Sequence, residues 1–156
     1  MNRAIFLDRD GTINVDTEYL YEMEKLKFIS HALDAIKELS KTDYKIIITT
    51  GQSGIGRGRY SEDDYHNLMR FMIGIIEQNK GRIYAHYLFP HHPTEAIGEY
   101  KINCGCRKPK IGMLEQAVND FGVDLKGSWI IGDKTDDIKC GENAGCRTIL
   151  VETGKA

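Results

Sequence analysis

Phe6-Leu7-Asp8-Arg9-Asp10-Gly11-Thr12 is the stretch on which the fold turns. Two carboxylates stand two residues apart, after the apolar run Ala4 to Leu7 and before a glycine and a threonine. An apolar run of that length beside a glycine predicts a buried strand ending in a turn. Both acids then sit at the carboxyl end of a central strand, where open α/β sheets bind their ligands. A second run, Trp129-Ile130-Ile131, ends the same way at Gly132-Asp133-Lys134. Two strands that deliver Asp8, Asp10 and Asp133 to one crevice make a divalent-cation site with a nucleophile in it.

Outward from these runs, strand and helix signals alternate. Ser30 predicts a helix cap, with the helix running to about Lys41. Tyr44 to Thr50 holds Ile46-Ile47-Ile48, a buried strand by its β-branching. A glycine-rich loop follows from Gly51 to Gly58, and Ser61 and Asp64 have capping-box spacing before an apolar stripe that reaches Asn79. Arg82 to Phe89 reads as a strand, and residues 90–109 as a loop. Pro109 opens a helix, Lys134 to Ala144 forms another, and Thr148 to Val151 is a last short strand. This βαβα rhythm predicts an α/β fold, a three-layer Rossmann-like parallel sheet with helices on both faces.

With 156 residues, a single domain over 1–156 is the expectation. It leaves no segment for a large cap domain; only 13–30 and 90–109 can shape the entrance. A formal net charge of -2 and the lack of a basic stripe argue against nucleic acid as a partner. No long apolar stretch or leader is visible, so neither membrane association nor export is expected, and the chain reads as a cytoplasmic monomer. In a reducing compartment the four cysteines read as thiols or metal ligands rather than disulfides. Cys140 and Cys146 are expected as small buried hydrophobes.

The carboxylates suggest a chemistry. A phosphate monoester resists attack because its anionic oxygens repel a nucleophile, and a divalent cation screens that charge. Mg²⁺ takes oxygen ligands, which Asp8 and Asp133 can supply. The free oxygen of Asp8 can then attack phosphorus, and an aspartyl-phosphate splits one hard displacement into two easier ones. Asp10 can protonate the leaving group and later deprotonate water. A small phosphorylated metabolite is the expected partner.

Phe-Leu-Asp-Arg-Asp-Gly-Thr resembles the first signature of the haloacid dehalogenase (HAD) superfamily of phosphohydrolases. Gly132-Asp133-Lys134-Thr135-Asp136-Asp137 resembles its fourth, with two acids four apart. Within that superfamily the chain is similar to the phosphatases of heptose bisphosphate and of histidinol phosphate. The likeness runs from Ala4 to Lys155. Ile13-Asn14-Val15-Asp16, Gln52-Ser53-Gly54-Ile55, Pro90-His91-His92-Pro93, Cys104-Gly105-Cys106-Arg107-Lys108-Pro109 and Thr153-Gly154-Lys155 carry it. It implies that Asp8 is the nucleophile and Asp10 the general acid/base, with Mg²⁺ on Asp8, the Asp10 backbone carbonyl and Asp133. It places the Thr50 hydroxyl and Lys108 on the phosphoryl group, and makes Arg107 a substrate-recognition residue. Asp16, Tyr19, Gly51, Gln52, Ser53 and Lys134 fall on substrate-contacting segments, and Arg57 is within reach of a distal phosphate. The favoured reaction is removal of the 7-phosphate of the heptose bisphosphate. Histidinol phosphate as substrate, and a phosphosugar binder without turnover, are the alternatives.

The family also places Cys-Pro-His before its Cys-x-Cys pair, giving a structural zinc site. Here Phe89 precedes Pro90-His91, so His91, Cys104 and Cys106 remain as ligands. Either they hold zinc, with water, His86 or His92 in the fourth position, or they pack the loop without metal. The family usually has Asn where this chain has Gly51.

Overall fold

In the computed structural model, which describes residues 1–154, β1 (Ala4–Leu7) is buried along its whole length. Lys155 lies outside the described residues. β1 lies in parallel between β2 (Lys45–Gly51) and β4 (Trp129–Gly132). β3 (Ala85–Phe89) flanks β2, and β5 (Arg147–Leu150) flanks β4. The order is therefore β3-β2-β1-β4-β5, parallel throughout.

Because successive side chains of a strand face opposite ways, the sheet builds two cores. Ile5, Leu7, Ile46 and Ile48 pack on one face with residues of α1 (Ala32–Leu39) and α3 (Glu62–Gln78). Ala4, Phe6, Ile47 and Ile130 pack on the other with α4 (Gly112–Phe121) and α5 (Thr135–Ala144). The expected three layers follow. A fifth helix, α2 (Ser53–Gly56), is a single turn after β2.

Local chemistry sets the helix ends. Ser61 and Asp64 form both halves of the capping box of α3, at 3.1 and 3.0 Å, a device worth about 1 kcal/mol. α1 starts later than its serine suggested, because His31 takes the left-handed cap position at φ 70°. α4 starts at Gly112 rather than at Pro109, since Gly112 N–H is held by the Gly105 carbonyl at 3.0 Å. The 13–30 excursion contains a 3-10 turn, Met23–Lys25, and an antiparallel bridge between Asn14 and Phe28, and its Tyr21 stacks on Tyr60 at 5.3 Å.

From β1 the chain steps outward through β2 and β3, then returns to β4 and β5 on the other side. The reversal leaves a crevice past the carboxyl ends of β1 and β4. Asp8 and Asp133 are the next residues after those two strands.

Candidate active site

Asp8, Asp133 and Asp137 are 7%, 0% and 2% exposed, and each offers a carboxylate oxygen to a cluster no wider than 4.8 Å. The fold brings them there in three ways. Asp8 N–H extends the ladder by bonding the Ile131 carbonyl at 3.0 Å. The first turn of α5 swings Asp137 back, and its Oδ2 accepts from Lys134 N–H at 3.2 Å. Gly11 has φ +87°, and a side chain there would overlap the Asp133 carboxylate, so glycine is what lets the loop pass this close. Thr153 ties the same loop down by donating to the Gly11 carbonyl at 2.7 Å.

Lys108 is the counter-charge. Its buried Nζ donates to Asp8 Oδ1 at 3.2 Å, to Asp137 Oδ1 at 2.6 Å and to the Thr49 carbonyl at 2.8 Å. Burial would lower the lysine's pKa, but Asp8 and Asp137 outweigh it and hold it above its ordinary value. Burial has the larger say at Asp8, whose pKa is pushed up to about 8; Lys108 opposes this, and Asp137, Asp133 and Asp10 add to it. Three buried carboxylates facing one ammonium make an oxygen-rich, electron-rich pocket, a donor set that fits Mg²⁺. Asp137 joins the site residues only in the folded chain. Its signal was the pair of acids four apart in the fourth signature.

The Asp10 carboxylate stands outside this trio. Arg9, wholly buried, grips it with two bonds at 3.1 Å, the fork geometry that suits a carboxylate. Asn14 donates to it at 2.9 Å and Gln52 at 3.1 Å. Gln52 also donates to the Thr50 hydroxyl at 2.9 Å and accepts from the Tyr60 hydroxyl. Gln52 and Thr50 are both buried and support Asp10, and Gln52 also lines the hollow that Asp10 shares with Tyr19 and Ser53.

The cleft itself has a volume of about 160 Å³, and its walls include Asp8, Asp10, Gly51, Ser53, Arg107 and Lys134. A neighbouring hollow of about 240 Å³ shares Asp10, Gly51, Ser53 and Lys134, and adds Asp16 and Tyr19 from the excursion. The substrate residues expected from sequence therefore surround two joined spaces. Arg57 is turned to Glu95 at 2.6 Å and lines neither.

The cysteine loop departs from expectation. The structure joins Cys104 and Cys106 in a disulfide, where thiols were expected. Their Cα atoms are 5.2 Å apart, within a disulfide's reach. His91 Nδ1 lies 3.7 Å from Cys106 Sγ, so His91, Cys104 and Cys106 do meet. As a zinc site the set is one ligand short of the usual four, and its sulfurs ligate only when reduced. His86 instead faces the Tyr65 hydroxyl at 3.1 Å. His92 Nδ1 accepts from Thr94 and Glu95 N–H at 3.2 and 3.1 Å. Neither histidine joins the cluster among the described residues. Cys140 and Cys146 are buried in the core as expected, and burial pushes the Cys140 thiol up to about 11.

A family model described as HAD-hydrolase-like matches residues 105–156. The D-glycero-beta-D-manno-heptose-1,7-bisphosphate 7-phosphatase of Haemophilus influenzae is 45% identical over 156 residues, spanning 99% of this chain and 84% of that protein. The chain belongs to this family of HAD-like phosphatases. It is a hydrolase, as the resemblance implied. The D-glycero-alpha-D-manno-heptose-1,7-bisphosphate 7-phosphatase of Burkholderia mallei is 43% identical, covering 96% of this chain and 79% of that one. Among solved structures, the D,D-heptose 1,7-bisphosphate phosphatase of B. bronchiseptica, complexed with magnesium and phosphate, superposes with a TM-score of 0.87. It is 30% identical over 98% of this chain and 82% of that one. A HAD-like phosphatase so closely superposable on a magnesium complex supports Mg²⁺ as the cofactor here. Among the described residues no helix is long and apolar enough to cross a membrane.

Proposed function

We propose that the chain removes the 7-phosphate of D-glycero-D-manno-heptose 1,7-bisphosphate through an aspartyl-phosphate on Asp8. The observation that carries this reading is the convergence of Asp8, Asp133, Asp137 and Lys108 within hydrogen-bonding and metal-sharing distance. Relatives named for this bisphosphate, one of them 45% and another 43% identical, supply the substrate class.

An Asp8 oxygen attacks phosphorus as the bond to the sugar oxygen breaks, and Asp10 gives that oxygen a proton. Asp10 then takes a proton from water, which attacks the phosphorylated Asp8, releases inorganic phosphate and restores the carboxylate. Arg9, Asn14 and Gln52 fix the direction from which Asp10 acts. Lys108 balances the anionic charge that builds on the phosphoryl oxygens. Asp8, Asp133 and the Asp10 backbone carbonyl would hold Mg²⁺, with Asp137 beside them, and the bound ion would screen phosphoryl charge. Arg107 takes the phosphate that stays on the sugar, while Asp16, Tyr19, Gly51, Ser53 and Lys134 line the space between.

Steady-state kinetics test this directly. The specificity constant for the heptose bisphosphate, measured on both anomers, should exceed that for histidinol phosphate at least tenfold, and Asp8→Asn should abolish turnover. Preference for histidinol phosphate moves the substrate, and no release from any phosphomonoester makes the chain a binder. We also propose that 1–156 works as one domain and a monomer in the cytoplasm, without nucleic acid or membrane. Once reduced, Cys104 and Cys106 with His91 would offer zinc three of its usual four ligands, and without reduction they pack the loop free of metal. Size-exclusion chromatography and elemental analysis of protein purified under reductant test these.

A further inference from the structure

Phe89 and Gly51 occupy each other's space. They are register partners on β3 and β2. The Phe89 ring lies across Gly51 so closely that a methyl group at position 51 would overlap Cζ and come within 2.9 Å of Cε2 and 3.1 Å of Cε1. The main chain pins the pair as well, since Gln52 N–H donates to the Phe89 carbonyl at 2.8 Å. The ring is 7% exposed, and what it exposes lines the same cleft as Asp8, Asp10 and Lys108. Above it stands the Arg107 guanidinium, 5.7 Å from the ring centroid, with one nitrogen 3.5 Å from the His91 carbonyl.

A glycine in the cleft wall thus gives its side-chain volume to an aromatic ring, and the Arg107 guanidinium lies over that ring. A flat π-face holds a guanidinium by its quadrupole and offers a sugar's C–H groups an apolar surface. We propose that Phe89, seated in the space that Gly51 leaves, is a specificity-determining residue. It positions Arg107 for the phosphate that is not cleaved and forms the apolar wall for the sugar. This rests on the bisphosphate reading above.

The test compares the heptose bisphosphate with an aryl phosphate, which has no second phosphate, in wild type, Phe89→Leu, Gly51→Ala and the double variant. Leucine keeps most of the volume but loses the π-face, and melting temperature reports any loss of fold. Phe89→Leu should lower the ratio of specificity constants, bisphosphate over aryl phosphate, about tenfold, the size of a partly desolvated cation–π contact. The loss should sit in KM rather than kcat, because the group acts on binding and not on the reacting bond. Gly51→Ala, which displaces the ring without removing it, should move the ratio the same way. The double variant should be no worse than the poorer single one, since there is one ring to lose. An unchanged ratio, a loss confined to kcat, or effects that multiply would overturn the assignment. Wild-type protein active on the aryl phosphate but not on the bisphosphate overturns the substrate reading, and this inference with it. A wild type active on the bisphosphate whose ratio survives both single variants overturns this inference alone.

Discussion

Lys108→Met takes away the ammonium that bonds both Asp8 and Asp137, and leaves the side chain's apolar stem nearly intact. The two carboxylates bonded to it, and Asp133 beside them, stay buried. Breaking a buried ion pair by removing one partner costs about 3–5 kcal/mol, because the remaining charge has lost its counter-ion. For a chain of this size each kcal/mol moves the melting temperature by about 2–4 °C, so in EDTA the variant should melt roughly 10 °C below wild type. Mg²⁺ returns positive charge to the same oxygens. At a hundredfold excess over its dissociation constant it stabilises by about 2.7 kcal/mol, so roughly two thirds of the deficit should be recovered. Turnover should not recover with it. Loss of a charge-stabilising group costs about 10²–10³ in kcat, and Mg²⁺ cannot supply the lysine's bond to the phosphoryl oxygens. Thermal melts with EDTA and with Mg²⁺, beside kinetics at saturating Mg²⁺, read all three quantities. A variant that melts with wild type in EDTA would show that these buried carboxylates need no counter-charge.

The raised pKa of Asp8 makes stability depend on pH. Its folded value of about 8 lies above its ordinary 3.8, so between these limits the folded chain binds a proton that the unfolded chain does not. Metal-free stability should therefore fall as pH rises from about 4 to about 8, and the stabilisation by Mg²⁺ should grow over the same window. Asp8→Asn should flatten the metal-free profile while ending turnover; a wild-type melting temperature that climbs with pH in EDTA contradicts this. Gln52→Ala removes one of the bonds that aim Asp10 and should lower kcat about tenfold, a fraction of the 10²–10⁴ that general acid–base catalysis is worth. A kcat equal to wild type would show that Arg9 and Asn14 suffice.

The strands were legible in sequence because this sheet is covered on both faces. Ala4 to Leu7 and Ile46 to Ile48 had to be continuous apolar runs, and that is a signal short enough to read. The first two carboxylates of the cluster, Asp8 and Asp133, follow from where the runs of β1 and β4 stop. Asp137 does not, because its place depends on the turn of α5 folding back on Asp133, four residues away in sequence and adjacent in space. The glycine-rich loop marks Gln52 as a site residue, but its bonds to Asp10, Thr50 and Tyr60 depend on packing that spacing does not show. Gly51 and Phe89 each departed singly from the family's pattern. Their relation was invisible until the register of β2 on β3 set one beside the other, since pairing between strands separated by a helix leaves no local mark in sequence. His31 shows the same limit on a smaller scale, because a left-handed residue after a good capping serine delays the helix.

The most direct test of the account is to catch the phosphoryl group on the protein. Asp10→Asn, given an aryl phosphate whose leaving group needs no proton, should still phosphorylate but should hydrolyse the product slowly. Acid quench and peptide mass analysis should then find one phosphoryl group on Asp8, dependent on Mg²⁺ and missing from Asp8→Asn. Release of inorganic phosphate with Asp8 never labelled, or a label on any other side chain, would contradict nucleophilic attack from this carboxylate.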